Sequence, residues 1–148
     1  MKGRIMDVSD LRKRIIRALD DARKDASSRR VVVDEAAKAY ESFLADIATP
    51  VMRQAALVLK AEGYSFAVQT PAATVRLVAD ASAQTFIELG LDTSGSRAVV
   101  IGRVSLARGR QGHIIEERPI ADKLVGDVTE EDLSTFLVVE IPKLIVRS

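Results

Sequence analysis

Apolar residues recur every three or four positions up to about residue 60, every second position from Tyr64 to Arg118, and every three or four again from Leu133. The first period is that of a helix with one buried stripe, the second that of a strand with one buried face. The order predicted is therefore helix, long helix, antiparallel meander, helix, an α+β fold.

Ser9 can cap the first helix, with Asp10 in its favourable first turn. Leu11, Ile15, Ala18, Leu19, Ala22 and Ala26 form its stripe, with Arg12, Lys13, Arg17, Arg23 and Lys24 on the remaining faces, and Ser27-Ser28 should end it. Arg29 to Val33 fits either a short strand or a helix lead-in. Asp34 then reads as the cap of a second helix whose seam is Ala37, Tyr40, Leu44, Ile47 and Val51. Thr49-Pro50 should kink or break that helix, because proline cannot donate to the preceding turn. A second piece, residues 50–62, stops at Gly63. Unbroken, residues 34–62 would span about 43 Å at 1.5 Å per residue, longer than a domain this small is wide. Such a rod would project and need a partner to cover its seam.

Four or five strands follow, separated by turns at Pro71-Ala72-Ala73, Asp80 to Ala83, Asp92 to Ser96 and Gly109 to Gly112. Alternation puts Val75, Leu77, Ile87, Leu89, Val100 and Val104 on one face, to be covered by the long helix and the C-terminal helix. The opposite face carries Arg76, Val78, Phe86, Glu88, Val99, Ile101 and Arg103. Four sizeable apolar residues there would forgo roughly 1.5–3 kcal/mol each if left in water, so a partner is expected over them. If the turns set the register, Glu88 stands between Arg76 and Arg103 in a cross-strand row. Thr129 to Asp132 has the form of a capping box, and Leu133, Phe136, Leu137, Ile141, Leu144 and Ile145 continue a helical stripe that Pro142 should bend or end.

The chain has 148 residues, enough for one domain and an appended arm. Its net charge of +1 hides an asymmetry: residues 1–30 hold ten Lys/Arg and five Asp, and residues 31–148 hold twelve Lys/Arg and sixteen Asp/Glu. The division expected is a basic N-terminal helical arm, 1–30, and a single α+β domain, 31–148. With no Cys and one His, the composition excludes disulfides, thiolate nucleophiles and the usual Zn sites, and it fits a reducing, cytoplasmic location. The first residues do not build a leader, and the apolar runs fall short of the ~18–20 residues a membrane span needs, so no membrane partner is expected.

Candidate chemistry is thin. No phosphate loop and no Gly-x-Ser-x-Gly elbow is present, and Gly90 stands where a nuclease-like Asp80/Glu88 pair would want a lysine. Gly109-Arg110-Gln111-Gly112 is similar to the backbone-clamping loop of KH domains, but that loop joins two helices and this one joins strands. Gly63 to Ala67 resembles the aromatic strand of RNA-recognition motifs, but Glu62 and Gln69 stand where a basic residue and an aromatic belong.

The reading expected is a non-enzymatic interaction or oligomerisation module without cofactors. Its partner, a second copy or another protein, would bind Val78, Phe86, Val99 and Ile101 together with the seam around Tyr40, Leu44 and Ile47. The arm would reach across to that neighbour. One alternative is nucleic-acid binding by Arg103, Arg108 and Arg110 at the hairpin tip and by Arg12 and Lys13 on the basic helix. Another is a small-molecule pocket between sheet and helices, for which the many Ala positions leave room.

Overall fold

The computed structural model of the chain describes residues 7–109 and 112–145. The helix α1 (Val8–Phe43) passes through a π-helical turn (Leu44–Ala48) directly into α2 (Thr49–Ala61). Five strands follow, β1 (Phe66–Gln69), β2 (Val75–Ala79), β3 (Ser82–Asp92), β4 (Val99–Ala107) and β5 (His113–Pro119). A 3-10 turn (Val125–Asp127) and α3 (Glu130–Ile145) complete the chain. The strands form one open antiparallel sheet in the order β1-β2-β3-β4-β5, so the α+β meander read from the alternation is the fold.

The helical half differs from the pattern-based expectation in four respects. Asp7, not Ser9, caps α1, its carboxylate accepting the Ser9 N–H at 3.2 Å. Ser27-Ser28 does not end the helix, and Asp34 lies inside it rather than capping a new one. No Gly or Pro occurs between Gly3 and Pro50, and two serines cost only about 0.5 kcal/mol each, less than nucleating a second helix. Finally, Pro50 does not break the rod. The turn before it widens, with the Thr49 N–H donating to the Leu44 carbonyl, and Pro50 falls in the first turn of α2. The 54-residue rod is roughly 80 Å long.

That wide turn also shifts the seam. The buried residues are Tyr40, Phe43, Ala48, Met52 and Leu59, and the step from Phe43 to Ala48 is five residues. Of the expected seam, Leu44, Ile47 and Val51 are half-buried at its border, and Ala37 is exposed. One extra residue per turn rotates everything after it.

Helices α2 and α3 cover one face of the sheet, over Val75, Leu77, Ile87, Leu89, Val100 and Val104, all buried as the alternation predicts. Leu133, Phe136 and Leu137 reach down from α3. Gly102 makes that approach possible, because a Cβ there would overlap the Phe136 ring. Gly63, at φ +94°, closes α2 with the Tyr64 N–H donating to the Leu59 carbonyl at 2.8 Å. At the start of α3 the Asp132 N–H donates to Thr129 Oγ1 at 3.1 Å, and the Thr129 N–H to the Asp132 carboxylate at 2.9 Å. Lys123 first, and then that Thr129 N–H, hold the Asp132 carboxyl below its ordinary pKa. Pro142 stays inside α3.

Candidate interaction surface

Four regions compete for a role: the arm, the outer face of the sheet, the cleft under Tyr40 and the groove between α2 and α3.

Every described residue of the arm, 7–32, is exposed, and Val33 is the first to be half-buried. Leu11, Ile15, Ile16 and Leu19 remain 45–49% exposed, and Val31 and Val32 slightly more. The stripe through Ile15, Leu19, Ala22 and Ala26 runs in three- and four-residue steps through Arg29 to Val33, Ala36, Tyr40 and Phe43. One apolar seam thus has its C-terminal half in the core and its N-terminal half in water. Arg12 and Lys13 lie on this exposed part. The ion pairs Asp10–Arg14 and Asp20–Arg23 are exposed and contribute little to holding the helix.

On the outer face the structure corrects a central expectation. Val78 is only 5% exposed and Phe86 8% in the single chain. The Arg76 guanidinium stacks on the Phe86 ring, 4.1 Å from its centroid. Long arginine side chains can cover apolar surface with their stems while their heads stay wet. Val99 and Ile101 are half-buried. The predicted row is present: Arg76 binds Glu88 at 2.8 Å, and Arg103 reaches Glu88 at 3.6 Å and Glu117 at 2.7 Å. This face is largely closed by its own chain, so a partner is not needed to bury Val78 and Phe86.

Tyr40 likewise belongs to the interior. Its hydroxyl faces the Ala73 and Leu89 carbonyls at 2.9 and 3.2 Å, tying α1 to the β1–β2 turn and to β3. Burial, and then the nearby Glu88 carboxylate, push its pKa up to about 12. Beside it opens a cleft of about 420 Å³ between Tyr40, Glu41, Thr74, Gly90, Ile101 and Arg103. Three of its polar groups, Tyr40, Glu88 and Arg103, already have partners inside the chain.

Among the described residues, the nucleic-acid candidates Arg12, Lys13, Arg103 and Arg108 are not brought together. The base of the arm lies beside the β3–β4 turn, where residues 25–33 and 93–98 share a groove. Arg108 is exposed at the opposite end of β4, about 27 Å away along the strand. Arg103 is engaged by Glu88 and Glu117, and Arg110 lies outside the described residues. Among the described residues no group of three His, Asp or Glu side chains is placed to hold a metal ion.

The groove between α2 and α3 was not legible in the sequence. It measures about 480 Å³ and is lined by Val51, Ala55, Val58, Leu137, Val138 and Ile141, with Gln54 and Ser134 at its polar margin. Val58 is 63% exposed and Val138 73%. At the far side of α3, Arg118 lies over Phe136, 4.4 Å from the ring centroid, and pairs with Glu140 at 2.9 Å. Burial raises the Glu140 pKa, but Arg118 and Lys143 outweigh it and hold the carboxyl below its ordinary value.

The α1–α2 rod contains an 18-residue window long and apolar enough, by length and composition alone, to cross a membrane. The rod also supplies Phe43, Ala48, Met52 and Leu59 to the core over the sheet. Comparison with protein-family models, curated proteins and solved structures returns no match.

Proposed function

We propose that this protein is a non-enzymatic interaction module that self-associates through its N-terminal helical arm. One observation carries the reading: a seam that packs the core at Ala36, Tyr40 and Phe43 passes the β3–β4 turn near Ala26 and continues through Ala22, Leu19 and Ile15, all exposed. A single helix in water is only marginally stable, since most helical stability in proteins comes from packing an apolar face. Covering the exposed halves of Leu11, Ile15, Ile16 and Leu19 would gain about 1 kcal/mol each. The arm's charge favours an acidic partner: residues 1–30 carry a net +5 and residues 31–148 a net −4, the two summing to the chain's +1.

Solution mass at several concentrations tests the reading. The expected result is a mass that rises above the 16.1 kDa of one chain as concentration increases, and that falls back in Ile15→Asp and Leu19→Asp. A chain that stays at 16.1 kDa throughout overturns it.

A further inference from the structure

We propose that the groove between α2 and α3 is the seat of the arm from a second copy of this chain, exchanged in both directions. The inference rests on the self-association reading and adds to it the receiving site.

The groove and the arm each present apolar side chains to water, and they match in spacing. Val51, Ala55 and Val58 follow one another at steps of four and three, and so do Ile15, Leu19 and Ala22. Each set rises about 10 Å along its helix, so one arm segment fills the groove lengthwise. Ridges at three- and four-residue steps are what two helices interdigitate when they pack. Ala55 in the groove and Ala18 and Ala22 on the arm let the backbones approach closely.

The charges agree. Glu130 and Glu131 stand in the first turn of α3, the turn before Ser134 of the groove lining, while Arg12, Lys13, Arg14 and Arg17 surround Ile15 on the arm. The groove wall itself carries no charge among its lining residues, so the arm's apolar stripe meets no buried ion.

The occupant must come from another molecule. Ile15 and Val58 lie 43 residues apart on one continuous helical rod, roughly 65 Å along its axis. A chain could seat its own arm only by unwinding that rod. One arm on one groove would leave a free arm and a free groove, and the contact would propagate. Reciprocal exchange about a two-fold axis satisfies both and stops at two copies.

The chain has no cysteine, which makes cross-linking clean. In the full chain, the double variant Ile15→Cys/Val58→Cys is expected to form a covalent dimer on mild oxidation, and either single variant far less. If Ile15→Cys alone cross-links as fully as the pair, the arms lie on each other and the inference is overturned. If none of them cross-links while the mass is that of a dimer, it is overturned as well. A second route uses Val58→Asp/Val138→Asp, at two exposed positions where an unchanged far-ultraviolet circular dichroism spectrum verifies the fold. The dimer dissociation constant should rise at least about tenfold. A dimer that survives this change but is lost in Ile15→Asp removes the groove and leaves self-association standing. A wild-type chain that is monomeric at every concentration removes both.

Discussion

The two halves of the α1–α2 rod have similar apolar periodicity and opposite fates. From Ala36 to Leu59 the stripe lies against the sheet and contributes Tyr40, Phe43, Ala48, Met52 and Leu59 to the core. From Leu11 to Val32 it is exposed along its whole length. Periodicity therefore reports that a face is made to be covered, without saying by what. The sheet beside it teaches the complementary lesson. Its outer face, expected to need a partner, is closed by Arg76 over Phe86 and by the Arg76–Glu88–Arg103–Glu117 row.

The sharpest way to break the contrast is to remove packing from each half. Phe136→Ala, under which Gly102 passes, should lower stability by about 3–5 kcal/mol in a denaturant titration, because it leaves a cavity between α3 and the sheet. If it costs no more than Leu19→Ala does in a monomeric sample, the distinction between body and arm is wrong.

Next in size is Tyr40→Phe, which leaves the Ala73 and Leu89 carbonyls without their donor and should cost about 1–3 kcal/mol. The same residue gives a pH signature. Its folded pKa, about 12, lies above the ordinary 10.0. Its contribution is therefore complete below pH 10 and is lost as pH rises from 10 through 12, while the unfolded chain ionises first. Melts across that window should show a decline that Tyr40→Phe reduces.

Glu140 works in the opposite direction. Its folded pKa lies below the ordinary 4.5, so its contribution is present above that value and fades as pH falls below it. Glu140→Gln should flatten the acid limb of the stability curve. An unchanged acid limb would mean that Arg118 and Lys143 gain nothing from the carboxylate.

Arg76→Ala removes the stacking on Phe86 and leaves the nearly buried Glu88 with Arg103 alone, so it should cost about 1–3 kcal/mol, with greater binding of a hydrophobic dye. No increase in dye binding would show that the outer face is closed by something other than this side chain. Leu19→Ala in a monomeric sample should change stability by no more than a few tenths of a kcal/mol beyond its helix propensity, while weakening self-association.

Much of the architecture can be read residue by residue. Alternation assigns Val75, Leu77, Ile87 and Leu89 to the covered face, and the turns place Glu88 between Arg76 and Arg103. Gly63 and the Thr129–Asp132 pair mark helix ends through chemistry local to a few residues. Of the expected seam of the long helix only Tyr40 is buried: Ala37 is exposed and Phe43, absent from the expected stripe, is buried, both before the wide turn that shifts the phase of every later position. The groove has no sequence signal, since Val51 and Ile141 fall in the stripes expected to be core, while Val58 and Val138 fall outside them.

The sequence by itself determined the element types, the sheet register and the charge split between arm and body, because each depends on neighbours a few residues away or on simple alternation. Tertiary structure alone decided which apolar positions found cover. Whether Ile15 or Phe43, Val58 or Leu59, meets water depends on how far the sheet extends beneath the helices and on the rotation introduced at residues 44–48. Those are properties of how elements stack in space, and no local pattern encodes them.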